Sequence, residues 1–402
     1  MAERGAPRTQ YERTYVLLPP SAGAAWVEAV VEATWDEHRY TIGGSADDAG
    51  IGDLDVRRVF AVNPSRWQGD LRAFFEEHYP GIQYVPLEAT TPDELRQKLS
   101  DDPPPLPGVR VGFNDPGNQG AGQWLAANAP RSFLCVPVFL GNHAQAFDFS
   151  AVAAAGVQVI VNLRYGWSVD CGGQGTLPTP GQEAEFVQAC IQTIRQSVGI
   201  WGWTVGNEYN NRREWPNGVG LAPEYVADVY NAIWGTVPAR IAPGAVDPFN
   251  VSLCDVQEYW RRLWSSIHGA DFVDLHGYIR YPDASQCWSE ARFIDEPLTW
   301  QYLNFFGCCE TLLERLPEKY RQLPAVVSEF NHLWQDDGQH GWVNDARAGD
   351  VVRAAHQRLK EWNAAGQDNP VIGLAIYRWR GDDWAVDGNA SVLNAIKEVA
   401  SV

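Results

Sequence analysis

The second part of the chain alternates between short apolar runs and longer amphipathic stretches. Eight runs are apolar at nearly every position, as strands of a parallel sheet covered by helices should be. They are residues 109–113, 133–138, 157–163, 200–205, 239–242, 272–275, 325–328 and 373–377. Apolar residues at helical spacing lie between them at 182–198, 223–234, 300–316 and 347–365. This α/β pattern predicts a (β/α)8 TIM barrel over residues 109–402.

An open, doubly wound sheet is the competing fold for the same alternation. That fold usually carries a glycine-rich phosphate-binding turn after its first strand. Here the first run is followed by Asn114-Asp-Pro-Gly-Asn118, which lacks the G-x-G-x-x-G spacing. The barrel is therefore the preferred interpretation.

A small α/β domain is predicted before the barrel, in residues 11–100. Strand-like runs at 14–18, 58–62 and 82–86 alternate with helical stretches at 24–38, at 69–78 and from Thr91 onward. Residues 101–108 contain four prolines and predict a stiff linker. The Asp- and Gly-rich segment 43–55 could bind a cation, but its spacing does not match the helix–loop–helix calcium pattern. A solvated loop is preferred there.

Charge and composition restrict the class of protein. A formal net charge of -19 repels phosphate backbones and anionic lipids, so neither nucleic acid nor a membrane is an expected partner. The seven Cys have scattered spacing and predict reduced thiols. No apolar signal region follows the N-terminus, which favours a cytoplasmic protein, or a secreted one whose signal was removed. The 18 Trp belong to aromatic cores or to platforms for a planar or sugar ligand.

Candidate chemistry lies where the predicted strands end, because barrel active sites form at the carboxyl ends of strands. The fourth run is followed by Gly206-Asn207-Glu208, the sixth by His276-Gly-Tyr278 and the seventh by Glu329. A Glu directly after an apolar run is rarely buried without a reason. Glycosidic cleavage needs two carboxyl groups with opposite duties, and strands four and seven face each other across an eight-stranded barrel.

On these residues, the segment 109–402 resembles the clan A glycoside hydrolases, which include cellulases, mannanases and β-glycosidases. The resemblance rests on Asn207-Glu208 after strand four, Glu329 after strand seven and Trp379 after strand eight. It implies a retaining double displacement with Glu208 as acid/base and Glu329 as nucleophile. It also implies that Asn207 binds the sugar 2-hydroxyl, that Tyr278 contacts the nucleophile and that Trp379 floors the cleavage subsite. Many family members carry an Arg after strand two and a His after strand three.

This chain departs from that pattern, since His143 follows strand two and Arg164 follows strand three. Arg164 is expected to hold substrate, to orient Glu329 or to form a structural ion pair, and His276 to join the site or to bond nearby backbone. Other candidates for the predicted carbohydrate partner are Asn114 and Asp115 as hydroxyl contacts and Trp167 and Trp215 as outer platforms, whereas Asp382 and Asp383 fit a solvated loop better.

The expected mechanism assigns different protonation states to the two Glu residues. Glu329 is predicted to be ionised, and Glu208 to be kept protonated by a dry setting and by the charge of Glu329. The carboxyl groups should then lie about 5–5.5 Å apart. No cofactor is expected. A metal-dependent barrel hydrolase is one rival, although the eight His include no H-x-H or H-E-x-x-H. A non-catalytic sugar-binding barrel is the other.

Overall fold

The structure of the protein is a computed structural model. It describes residues 13–34, 40–46, 56–79, 83–100, 108–167, 173–237, 239–249, 252–289, 292–293, 302–303, 306–321, 323–365 and 368–400. Backbone contacts divide the chain into two compact units, and the boundary along the sequence lies between Gly108 and Val109. Residues 47–55 of the Asp-rich segment, most of the predicted linker 101–108 and Cys171 lie outside the described residues.

The first unit is a four-stranded parallel sheet with helices on both faces. Its elements are β1 (Arg13–Leu17), α1 (Ala24–Thr34), β2 (Tyr40–Gly43), β3 (Val56–Val62), α2 (Leu71–His78), β4 (Gln83–Leu87) and α3 (Pro92–Ser100). The strand order is β2-β1-β3-β4. Side chains alternate between the faces, so Val16 and Phe60 pack with Val30 of α1, while Leu17 packs with Phe75 of α2. The edge strand β2 was not predicted from the sequence.

The second unit contains eight parallel strands that pair in chain order. They are β5 (Arg110–Asn114), β6 (Phe133–Phe139), β7 (Gln158–Arg164), β8 (Gly202–Val205), β9 (Ile241–Pro243), β10 (Val273–Ile279), β13 (Ala325–His332) and β14 (Val371–Tyr377). The hydrogen-bonded order is β10-β13-β14-β5-β6-β7-β8-β9. The two end strands, β9 and β10, also contact each other. The sheet therefore closes on itself, and the predicted (β/α)8 barrel is confirmed.

Helices connect the barrel strands and cover the outside of the sheet. They are α4 (Ala121–Asn128), α5 (Ser150–Ala154), α6 (Glu183–Gln196), α7 (Pro223–Trp234), α8 (Val256–Ser266), α9 (Phe306–Leu313), α10 (Ala346–Ala364) and α11 (Ala390–Ala400). The predicted helix at 300–316 is shorter than expected. Its first residues include β12 (Tyr302–Leu303), which pairs with β11 (Arg292–Phe293).

Two apolar layers hold the barrel together. Alternate strand residues such as Leu134 and Val161 face outward and pack against the helices. The residues between them face inward and fill the lumen with a separate cluster, including Phe133, Ile160 and Val326. This apolar cluster fills part of the lumen. The polar candidate residues lie at the carboxyl ends of the strands. Among the described helices, none is both long and apolar enough to cross a membrane.

Candidate active site

The backbone after β8 places Glu208 at the mouth of the barrel. Gly206 and Glu208 both adopt positive φ angles, 70° and 44°. A Cβ on residue 206 would lie 2.3 Å from the ring of Tyr209, so only glycine fits that turn. The turn is fixed because the Glu208 N–H donates to the Ala245 carbonyl at 2.7 Å. The Glu208 carboxylate thus leaves the sheet in a defined direction.

The register of β10 against β13 brings the second carboxylate beside it. His276 pairs with Glu329 across the two strands, after a register shift between Leu275 and His276. Such irregularities re-aim side chains near functional sites. We call Glu208, His276 and Glu329 the carboxylate–histidine trio. One ligand atom from each member lies within 4.8 Å of the others.

One hydrogen bond and one longer ion pair link His276 to the two carboxylates. His276 Nδ1 lies 2.9 Å from Glu208 Oε1, and His276 Nε2 lies 3.7 Å from Glu329 Oε1. The Tyr278 hydroxyl donates to Glu329 Oε2 at 3.1 Å and lies 3.0 Å from His276 Nδ1 and 3.4 Å from Glu208 Oε1. One phenol therefore touches all three members of the trio, so a change in the charge of one is felt by the others.

The protonation states differ from those expected. Burial alone would raise the pKa of Glu208, but the hydrogen bond and the charge of His276, together with the Asn211 amide, lower it. Burial alone would lower the pKa of His276, yet the negative charges of Glu329 and Glu208 raise it to about 9. Both pKa directions favour a proton on His276, which is only 1% exposed, rather than on Glu208. The lowered pKa of Glu208 is opposite in direction to the prediction of a protonated Glu208, which did not include the imidazole.

Arg164 orients the other carboxylate. Its Nη2 donates to Glu329 Oε1 at 3.2 Å, and both side chains are buried. Its Nε donates to Asn162 Oδ1. The amide of Asn162 in turn donates to Thr204 Oγ1 at 2.6 Å, which connects β7 to β8. Of the three roles considered for Arg164, the geometry matches orientation of Glu329.

Two further carboxyl groups flank the site and were missed from the sequence. Asp247, after β9, accepts from Asn211 Nδ2 at 3.0 Å, and the same amide donates to Glu208 Oε2 at 3.2 Å. Glu214 is buried, and that burial, countered by Arg164, raises its pKa to about 8. Both residues lie in loops that follow the carboxyl ends of strands. A search of the whole of each loop, rather than only its first residues, would have identified them as candidates.

Asn114 and Asn207 lie at the ends of barrel strands and Trp167 lies in the loop after β7, as predicted. Asn114 is buried and donates to the Ser328 carbonyl at 3.1 Å, leaving its Oδ1 without a protein partner. Asn207 is buried directly before Glu208. Trp167 is half-buried, with its ring centroid 4.9 Å from that of Phe139. Asp115, in contrast, uses both carboxylate oxygens to cap the backbone of the following turn, at 2.9 Å each.

Trp379 does not join the group around the carboxylates. It is 4% exposed, and its ring centroid lies 4.9 Å from that of Phe113 and 5.9 Å from that of Trp124, in the helix-facing layer. The half-buried ring of Tyr377 lies at the end of β14 instead, where the charge of Glu329 acts on its phenol. Trp215 is also half-buried, and its Nε1 donates to the Tyr209 carbonyl at 2.8 Å. Asp382 and Asp383 are exposed, as predicted.

The trio has the residue types of a metal site. His and carboxylates are the ligands of zinc, which binds them at about 2.0–2.2 Å. The guanidinium of Arg164, which donates to Glu329, opposes a cation at this point. The arrangement therefore suits two carboxylates acting on a bound molecule better than it suits a resident metal.

Comparisons with known proteins give weak likenesses. No protein-family model matches the chain, and a search of curated proteins finds no match. Similar solved structures include a GH128 (subgroup I) endo-beta-1,3-glucanase from Amycolatopsis mediterranei in complex with laminaritriose, at 13% identity and a TM-score of 0.44, covering 73% of this chain and 100% of that one. A glycoside hydrolase family 5 enzyme from Prevotella bryantii B14 matches at 10% identity and a TM-score of 0.42, covering 73% and 96%. A beta-glucosidase matches at 12% identity and a TM-score of 0.47, covering 70% and 87%.

These neighbours are glycoside hydrolases, the class that the sequence resembles. With TM-scores below 0.5, they decide nothing about the activity of this chain. The barrel assignment rests on the strand order and register, and the functional conclusion on the geometry of the site.

Proposed function

We propose that the protein is a retaining glycoside hydrolase that cleaves O-glycosidic bonds of an oligo- or polysaccharide by double displacement. The proposal rests mainly on the separation of two carboxylates at the barrel mouth, half-buried Glu208 and buried Glu329, which have oxygens within 4.8 Å of each other. Retaining enzymes hold these groups about 5–5.5 Å apart, whereas inverting enzymes need about 6.5–9.5 Å to admit a water molecule. The short separation favours direct attack by one carboxylate.

Glu329 is proposed as the nucleophile because a guanidinium and a phenol donate to its two oxygens and so orient the carboxylate. Arg164 Nη2 and the Tyr278 hydroxyl each donate to one of its oxygens, at 3.2 and 3.1 Å. In the first step, Glu329 forms a bond to the anomeric carbon, and the bond from that carbon to the leaving oxygen breaks. The electron pair of the broken bond goes to the leaving oxygen.

Glu208 is proposed as the acid/base, with His276 as the group that stores its proton. His276 Nδ1 passes its proton to Glu208 across the 2.9 Å hydrogen bond, and Glu208 delivers it to the leaving oxygen. In the second step, Glu208 takes a proton from water as the water oxygen attacks the anomeric carbon and releases Glu329. The proton then returns to His276, so the cycle closes with the original charges.

A panel of aryl glycosides and polysaccharides tests the activity, and NMR of the first-formed product gives its anomeric configuration. We expect retention. Inversion would contradict the double displacement, and failure to cleave any member of the panel would contradict the hydrolase assignment.

Azide rescue tests the two roles separately. With Glu329→Ala, azide should restore turnover and give a glycosyl azide of inverted configuration, because azide attacks the substrate directly. With Glu208→Ala, the azide product should retain its configuration, because azide attacks the glycosyl ester on Glu329. Glu185→Ala, an exposed carboxylate on α6, is the matched control and should behave like the wild type. Near-normal activity of Glu329→Ala without azide would remove Glu329 from its role.

A further inference from the structure

A row of aromatic rings leads away from the catalytic carboxylates across the loops that follow β13 and β14. We call Tyr377, Trp384, His340 and Trp334 the aromatic row. The ring centroids of Tyr377 and Trp384 are 6.3 Å apart, those of Trp384 and His340 are 5.2 Å apart, and those of His340 and Trp334 are 4.0 Å apart. Consecutive rings are thus in contact, and the row is continuous.

The inner end of the row lies at the cleavage site. Ile376 pairs with Phe330 across β14 and β13, so Tyr377 ends the strand beside the one that carries Glu329, and the charge of Glu329 acts on its phenol. The Trp342 indole fixes this end by donating to the Tyr377 carbonyl at 2.7 Å. A molecule held over Tyr377 therefore lies beside the proposed nucleophile.

The outer end of the row is rigid. Trp384 Nε1 donates to the His332 carbonyl at 3.2 Å, and its backbone N–H donates to Asp382 at 3.0 Å. Trp334 and His340 form an isolated antiparallel bridge at the base of a short turn, which Gln335 closes by donating to the Gln339 carbonyl at 2.7 Å. The rings are therefore held in place before any ligand binds, which lowers the entropy cost of binding.

These rings are not part of the core. Tyr377, Trp384 and Trp334 are half-buried and His340 is exposed, whereas Trp342 and Trp379 nearby are buried. Rigid aromatic side chains that remain partly exposed are suited to a ligand with apolar faces and polar edges. A pyranose ring has this character, because its C–H groups lie on its faces and its hydroxyls at its rim. Exposed Asp336, Asp337 and Gln339 on the same turn supply acceptors and donors for those hydroxyls.

We infer that the aromatic row binds further sugar units of an extended glycan chain, on one side of the bond that is cleaved. The inference rests on the proposed function for its catalytic readout. It names the substrate class of the same site as a chain of several pyranose units rather than a disaccharide. Trp384 and Trp334 are then the residues that determine the preference for chain length.

Kinetics on substrates of different length test the row. An aryl monoglycoside and gluco-, manno- and chito-oligosaccharides of two to six units are compared in the wild type, Trp384→Ala and Trp334→Ala. Loss of one stacking contact should lower kcat/KM for the hexamers about tenfold, while the monoglycoside changes less than twofold. Trp384→Phe keeps a ring and should retain most of the activity on hexamers. Trp288→Ala is the control, since this exposed indole contacts Glu361 near the end of α10.

Direct binding separates this inference from the proposed function. Calorimetric titration of the same oligosaccharides into Glu329→Gln measures affinity without turnover, and adding Trp384→Ala or Trp334→Ala should weaken hexamer binding about tenfold. If the Trp variants weaken hexamer binding but the wild type hydrolyses no substrate, glycan binding by the aromatic row is supported and the proposed hydrolase function is rejected. The row is rejected if both Trp variants treat all chain lengths like the wild type, if they lose activity on the monoglycoside equally, or if no oligosaccharide binds.

Discussion

The proton held by His276 gives the reaction an upper pH limit. His276 is protonated below a pKa of about 9, because the charges of Glu329 and Glu208 outweigh its burial. In the proposed mechanism, this proton reaches the leaving oxygen through Glu208. We therefore expect kcat/KM of the wild type to fall about tenfold per pH unit above pH 9. His276→Asn forces the proton onto Glu208 itself and should move this alkaline limb to lower pH.

The size of the expected shift in the alkaline limb follows from the pKa of His276. A pKa of about 9, against the ordinary value of 6.5, corresponds to roughly 3 kcal/mol of stabilisation of the protonated ring. The alkaline limb of His276→Asn should therefore lie at least about two pH units lower. Because the folded-state pKa is raised, the same interactions stabilise the fold fully below pH 6.5 and cease to do so as the pH rises through about 9. The thermal midpoint of the wild type should fall over this interval.

Three measurements check this reasoning. The pH profile of kcat/KM is recorded from pH 4 to 10.5 for the wild type, His276→Asn and His268→Asn, the last being an exposed control. NMR of ring-labelled histidine reports the His276 pKa without any substrate, and calorimetry follows the thermal midpoint. An imidazole that titrates near 6.5, or an alkaline limb that stays in place in His276→Asn, would refute the assignment of the proton.

Other outcomes test the site and the barrel. Chelator treatment should leave activity unchanged, and a loss of activity on chelation would contradict a metal-free mechanism. Added Zn²⁺ should inhibit more strongly at pH 9 than at pH 7, because it must displace a proton from the trio in order to bind. Arg164→Met removes the guanidinium that donates to buried Glu329 and leaves His276 as its remaining cation, so the thermal midpoint and kcat/KM should both fall, with a loss of up to about 3–5 kcal/mol in unfolding free energy. An Arg164→Met variant with the same thermal midpoint as the wild type would contradict a stabilising ion pair between Arg164 and Glu329. Gly112→Ala puts a Cβ 1.7 Å from the Phe133 carbonyl oxygen and should lower stability by more than about 4 kcal/mol, whereas Gly23→Ala meets nothing within 4 Å and should be neutral by calorimetry.

The barrel strands could be predicted because each is buried on both faces and so reads as a continuous apolar run. All eight lie within a few residues of their predicted positions, for example 133–138 against Phe133–Phe139. Strand β2 escaped prediction because it has only four residues and pairs with β1 alone. An edge strand with one neighbour needs no long apolar run, so composition gives little indication of it.

The positions of the main site residues could be predicted, because they lie at the ends of barrel strands. Glu208, His276 and Glu329 each follow or end an apolar run, and the structure brings them together. Their protonation could not be predicted, since it depends on a 2.9 Å contact between residues 68 positions apart and on a register shift inside β10. The packing of Trp379 in the helix-facing layer could not be predicted either, because β14 ends at Tyr377 and the alternation of its side chains does not extend to residue 379.

The left-handed backbone at Glu208 sets folding against activity. A residue with a Cβ is disfavoured by roughly 1 kcal/mol at a φ of 44°, and Glu has no compensating local hydrogen bond of the kind that Asn can make. Glu208→Asn regains part of that cost but also removes the carboxylate that pairs with buried His276 at 2.9 Å, so it should lose turnover and should not melt above the wild type at pH 7. The backbone cost at residue 208 is therefore tolerated together with an ion pair that only an acidic residue can make. A screen for thermostability alone would relieve the strained backbone only by giving up that ion pair.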